Sequence, residues 1–207
     1  STWVMPVYYI SMLTLLIGNV TAVYQQSIKR MLAYSSISHA GYMLLTVSAR
    51  QGSSTSSILF YSLAYTLATL TAFAVFKIVS EYQTGRTEKP NNFQSFEGLA
   101  KANPFLAFCF TVSLLSLAGI PLTAGFWGKF FVFTDTFNRN IVYPVIIAIL
   151  MSAVGIYYYF KGIIAVYFKQ GDIQKIEVST LYQVALGLTT LGTLVLGLFP
   201  NLVKSLF

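Results

Sequence analysis

The sequence predicts an all-α, polytopic transmembrane bundle of about six spanning helices, one of them discontinuous. Three observations carry this. Only 9% of the 207 residues are charged while 56% are hydrophobic, against about 25% charged in an ordinary soluble domain. Charge-free apolar runs near the ~20 residues that a bilayer demands recur along the chain. The stretch SLAGIPLTAGFWGKFFVF, Ser116 to Phe133, sets a helix breaker and a lysine inside one such run.

Helix A is expected over Val4 to Tyr24, helix B over Met31 to Ala49, and helix C over Ser56 to Val79. Helix D runs Pro104 to Thr134, helix E Ile141 to Phe168, and helix F Thr180 to Leu198. Residues 81–103 form the one long connection. Within it Phe93, Phe96 and Leu99 recur by threes, which suits a short amphipathic helix at the membrane surface, with a plain loop as the alternative.

The net charge is +7 and the pI about 9.5. The positive charges fall between apolar runs, so the positive-inside rule accounts for them and nucleic acid does not. Lys29, Arg30, Arg86, Lys89, Lys101, Lys169 and Lys175 lie on one side, with Lys77 and Lys161 at helix ends facing it. Arg50, Arg139 and Lys204 lie on the other. The first side reads as cytoplasmic, and both ends of the chain then lie outside. The chain begins STWVMPVYY, without initiator methionine or leader pattern, and is expected to be a piece of a longer protein.

Helix D answers to its length. As a straight helix its 30-odd residues would span about 45 Å, against a hydrocarbon core of about 30 Å. Gly119, Pro121 and Gly125 supply a break. Unwound backbone at membrane depth survives only where protein or water covers it, and discontinuous helices mark ion sites in transporters. Lys129 then falls in the first turns of the second half-helix, where burial and the positive end of that helix both act against its charged form. A lysine so placed can load and release a proton as its surroundings change. The alternative is that Lys129, about 9 Å along a helix from Asp135, snorkels to the outer surface.

Helix B places His39 about 13.5 Å beyond Arg30, near the midplane, with Ser35 and Tyr42 on its face. Helix C carries Tyr61, Tyr65 and Thr69 at intervals of four. Two such stripes would hold a proton path through His39, Tyr65 and Thr69, or serve only for packing through hydroxyls. Lys161 follows the run Tyr157-Tyr158-Tyr159, which reads as an aromatic belt above a snorkelling lysine. Gly187, Gly192 and Gly197 in helix F suit close packing. The acidic residues all lie in or beside loops, so no carboxylate is expected in the membrane. Cys109 is single, and no dinucleotide, phosphate-loop, CxxC or HExxH pattern occurs. Catalytic, cofactor-binding and metal-ligating residues are therefore expected to be absent from this chain.

YQQSIKRMLAYSSISHAGYM, Tyr24 to Met43, resembles the turn and following helix of the antiporter-like membrane subunits of respiratory complex I. Leu117 through Phe133 resemble their broken helix near the C-terminus, with the pattern LAGIP-x-x-x-GF-x-GK-x-x-x-F, and FEGLAKANP resembles the linker before it. Among those subunits the resemblance is to subunit N, because GFWGKFFVF keeps lysine where subunit M typically has glutamate. The resemblance implies the second inverted five-helix repeat over residues 1–168, and a loop with one further helix over 169–207. It implies a subunit of an NADH:quinone oxidoreductase that moves protons, with Lys129 ending the path and Lys161 a further candidate on it. NADH, FMN, iron–sulfur clusters and quinone would be held by other subunits. The implied partners are subunit M, small subunits K and J, the lateral helix of subunit L, and membrane lipid, in a bacterial inner membrane with both ends periplasmic. A multisubunit cation/proton antiporter, a ferredoxin-driven photosynthetic relative, and a scaffold in which Lys129 only snorkels remain alternatives.

Overall fold

The computed structural model describes residues 4–49, 52–138, 142–171 and 173–204, and these are mostly helical. The helices are α1 (Val4–Val23), α2 (Ile28–Ala49), α3 (Gly52–Gln83), α4 (Leu99–Ala102), α5 (Pro104–Ala118), α6 (Ala124–Phe137), α7 (Val142–Phe168), α8 (Thr180–Leu198) and α9 (Asn201–Lys204). Four of them, α1, α3, α7 and α8, are long and apolar enough to cross a membrane by length and composition. The chain is a multi-pass membrane protein. α2 is as long but carries Lys29, Arg30, His39 and a series of hydroxyls. The expected helix D is two half-helices, α5 and α6, each about 22 Å long and so too short to cross alone.

Two boundaries move for a physical reason. α2 begins one turn before the expected Met31, because Ile28 and Met31 are both fully buried and the Ile28 N–H donates to the Asn91 carbonyl at 2.9 Å. α3 runs on past Val79 to Gln83, with no breaker before left-handed Gly85.

The long connection departs from expectation. It holds no single surface helix. A 3₁₀ turn, Phe93–Phe96, is followed by left-handed Gly98 and the one-turn α4. Phe93, Phe96 and Leu99 face inward and are buried, and the Phe96 ring lies 6.1 Å from Phe76 and 5.5 Å from Phe110. Their spacing by threes plugs the end of the bundle, where a lipid-facing helix would have exposed them. A Lys169–Glu97 pair at 3.1 Å ties the α7–α8 connection onto it.

The ends of α1, α3 and α7 and the starts of α2, α5 and α8 therefore meet at one end of the bundle. The basic side chains from Lys29 to Lys175 named above belong to that end. Arg50 and Arg139, and the side chain of Lys204, fall outside the described residues.

Candidate functional site

The break is built from standard helix-end chemistry. α5 ends in a Schellman motif: Gly119 takes φ +83, its N–H donates to the Ser116 carbonyl, and the Ile120 N–H reaches back to Leu115, both at 3.0 Å. Pro121 follows, as it commonly does after such a cap. Leu122 turns through φ +74, and α6 opens after Thr123. The Gly125 N–H, otherwise an orphan of the first turn, donates to the Ser116 hydroxyl at 3.1 Å. Gly125 lies so close to α5 that a Cβ there would run into the Ser116 carbonyl.

Lys129 occupies the space so formed and is only 5% exposed. Helical side chains lean toward the N-terminus of their helix. Lys129 accordingly reaches back along α6, past Gly119, where an added Cβ would meet its Cδ at 2.8 Å. Its ammonium donates to the Ala118 carbonyl at 2.8 Å and to the Ser152 hydroxyl of α7 at 3.1 Å. It stands 5.3 Å from the centre of the Tyr42 ring. It does not snorkel toward Asp135. The sequence places this lysine against the positive end of α6; the geometry sets it against the carbonyl end of α5, where a helix is partly negative. The same region corrects a second expectation: Asp135 lies inside α6 and is buried, so a carboxylate does sit within the helical bundle.

Beyond Tyr42 lies a buried polar cluster. His39 Nδ1 is 2.7 Å from the Tyr61 hydroxyl, and Nε2 is 3.1 Å from the Tyr159 hydroxyl. A neutral imidazole has one donor and one acceptor nitrogen. One tyrosine therefore donates to the ring while the other accepts from it; a proton delivered to the first tyrosine from beyond, with one given up by the second, would reverse both bonds and amount to the net transfer of one proton across His39. The Tyr65 ring stands 4.7 Å from His39. The Tyr158 ring lies tilted against that of Tyr159, with centroids 4.5 Å apart, and its hydroxyl donates to Asn19 of α1 at 3.0 Å. A void of about 10 Å³ between His39, Tyr61, Ser116 and Gly125 is at the lower limit for one water. Thr69 lies one turn beyond Tyr65, and its buried hydroxyl has no partner among the described residues.

Of the sequence-proposed residues, the fold brings together Lys129, His39, Tyr65, Gly119 and Gly125, with Pro121 shaping the break. Lys161 is apart, near the basic end, donating to the Gln25 carbonyl at 3.2 Å. Tyr159, Tyr158, Asn19 and Ser152 join the cluster without having been anticipated. Tyr157 is 62% exposed, as an aromatic-belt residue would be, whereas Tyr158 and Tyr159 are buried against α1 and α2 and do not fit that reading. The one available signal was the small-residue face of helix E, where Gly155 and Gly162 flank them seven residues apart.

Replacing either tyrosine that holds the imidazole tests this geometry. Tyr61→Phe or Tyr159→Phe removes a buried partner and is expected to cost about 1–3 kcal/mol of stability each. The double variant should cost less than the sum, since both act through one ring. Thermal unfolding in detergent reads this.

α8 covers the break. Trp127 Nε1 donates to the Gly197 carbonyl at 2.8 Å, and Gly197 packs directly on the backbone of Leu122 and Thr123. Gly192 faces Leu67, while Gly187 faces open space.

The profile of the NADH:quinone oxidoreductase/Mrp antiporter transmembrane family matches residues 1–155. The chain is 42% identical over 200 residues to an NADH-quinone oxidoreductase subunit N from Cytophaga hutchinsonii, covering 93% of this chain and 41% of that protein. It is 37% identical over 198 residues to an F(420)H(2) dehydrogenase subunit N from Methanosarcina mazei, covering 93% and 40%. A chain of respiratory complex I from Thermus thermophilus, solved with bound aureothin, superposes with a TM-score of 0.85 at 32% identity, over 97% of this chain and 45% of that one. The chain thus spans about two fifths of the length of the curated relatives it matches.

Proposed function

The chain belongs to the NADH:quinone oxidoreductase/Mrp antiporter transmembrane family, and from that premise we propose that it is the C-terminal part of a subunit N that moves protons across a bacterial inner membrane. Residues 1–168 form its second five-helix repeat, and residues 169–207 a loop and closing helix. NADH oxidation, FMN, iron–sulfur and quinone chemistry belong to other subunits. Subunit M, small subunits K and J, and the lateral helix of subunit L are the partners proposed for it. The basic end is cytoplasmic and both ends of the chain are periplasmic.

The observation that carries this reading is the buried ammonium of Lys129, held by the carbonyl end of a broken helix and facing Tyr42 beside the His39 cluster. An ionisable group at that depth is costly, and its ordinary use is to pass charge. Helix α7 orders the path: Lys161 stands at the basic end, Tyr158 and Tyr159 lie one turn in, and Ser152 touches Lys129. Tyr65 and Thr69 flank the path from α3. A proton enters near Lys161, crosses the His39 bridge, loads Lys129, and leaves when a neighbouring charge displaces it.

The test uses the full-length chain in its assembled enzyme. Inverted vesicles from a strain lacking the chain, and from the complemented strain, are compared for NADH-driven proton uptake and quinone reduction. Restoration of uptake together with quinone reduction is expected. If both are unaffected by deletion while sodium-driven proton exchange is lost, the chain serves an antiporter and this reading falls. Within the same assay, Lys161→Met should lower uptake by less than changes at Lys129 do, because water reaches the basic end without it.

A further inference from the structure

The starts of α5 and α8 flank a cleft of about 720 Å³ at the basic end of the bundle. Its walls are polar where the helices begin. Neither helix has a side-chain cap, so the first-turn N–H groups of α5 lack a capping side-chain oxygen, and Phe105 and Leu106 are among the residues that line the cleft. Asn103, only 9% exposed, stands in the wall, and its Nδ2 has no hydrogen-bond partner among the described residues. Lys175 and Glu177 line the same mouth, both exposed. Such a mouth offers donors, a positive charge and a carboxylate together.

Phe105 also borders a second cleft, of about 420 Å³, which continues along α5 and α8 toward the membrane interior. Its lining is apolar, with Phe108 and Leu191 half exposed. Gly187 opens it further, since a Cβ there would meet nothing within 4 Å. A volume of about 420 Å³ is of the size of a single hydrocarbon chain.

We propose that the two clefts are one binding site for a zwitterionic aminophospholipid of the phosphatidylethanolamine class. Its phosphate is taken by Asn103, Lys175 and the start of α5, its ammonium by Glu177, and one acyl chain by the trough along Phe108, Gly187 and Leu191. Charge complementarity chooses the headgroup: an anionic lipid would meet Glu177, and a choline headgroup has no N–H to donate to it. Such a lipid would brace α8, the helix that covers the break.

The test is photolabelling of the full-length chain in its assembled complex, reconstituted in phosphatidylcholine vesicles. The probe is phosphatidylethanolamine with a diazirine near the end of one acyl chain. Peptide mass spectrometry is expected to find adducts on α5 and α8 around Phe108 and Leu191. Gly187→Leu, which fills the trough without displacing protein, should abolish them. Asn103→Leu and Lys175→Glu should each reduce them severalfold. Equal labelling by phosphatidylcholine or phosphatidylglycerol probes overturns the headgroup assignment. Labelling that Gly187→Leu leaves unchanged overturns the site. So does a photoreactive residue at 191 that captures protein in place of lipid, since another chain then covers the trough.

Discussion

Lys129→Met in the full-length chain is expected to uncouple proton movement from electron transfer. In inverted vesicles the ratio of protons taken up to quinone reduced should fall by more than about half, as when an ionisable group is lost from an intramembrane relay. Assembly should persist, because two effects oppose each other. Removing the ammonium leaves the Ala118 carbonyl and the Ser152 hydroxyl without their donor, at about 1–3 kcal/mol for a buried unsatisfied group. It also removes the cost of holding a charge away from water, which is several kcal/mol for an ion in a protein interior. The functional loss is thus not a folding loss. Lys129→Arg separates charge from titration. The guanidinium keeps the positive charge but does not deprotonate in proteins, so pumping should be lost here too. Pumping by the arginine variant would mean that a fixed charge suffices. Unchanged pumping by the methionine variant would leave Lys129 a structural tether for the end of α5.

The break and its lysine were legible because their chemistry is local. A proline and two glycines inside an apolar run interrupt a helix whatever surrounds them, and a lysine a few residues later must find cover. What it finds was not legible. The acceptor at Ala118 exists only because the Schellman turn at Gly119 frees that carbonyl, and the direction of the side chain follows from helix geometry applied to a bent chain. Tyr158 and Tyr159 failed for a different reason. A tyrosine near the charged end of a helix has the same sequence signature whether it faces lipid or a neighbour. Their partners, Asn19 and His39, lie more than a hundred residues away on α1 and α2. Phe93, Phe96 and Leu99 show the converse: apolar spacing identified a buried face correctly, but not that protein would bury it. The lengths and order of the spanning helices came through with shifts of about a turn, since the bilayer constrains length strongly and boundaries weakly.

Gly125→Ala is expected to be among the most damaging single changes in the chain, although it adds one methyl group. An ordinary overpacked methyl costs about 1–3 kcal/mol because neighbours yield. Here the obstacle is the Ser116 backbone carbonyl, which cannot rotate away while α5 keeps its Schellman end. The half-helices must separate, so the Gly125–Ser116 bond is lost and Lys129 is drawn off the Ala118 carbonyl. A cost above about 4 kcal/mol follows, in the range reserved for changes with a definite structural cause. It should be seen as a large drop in the thermal midpoint of the assembled complex, or as loss of the subunit. Two comparisons make the argument falsifiable. Gly187→Ala, in open space, should be neutral or stabilise α8 by up to about 1 kcal/mol, the intrinsic preference of alanine over glycine in a helix. Adding Ser116→Ala to Gly125→Ala should rescue nothing, because it removes the hydroxyl and leaves the carbonyl in place. Rescue by that second change would mean that the side chain, and not the backbone, sets the distance between the two halves of the broken helix. The site would then owe its geometry to a replaceable hydrogen bond instead of to the closeness that glycine permits.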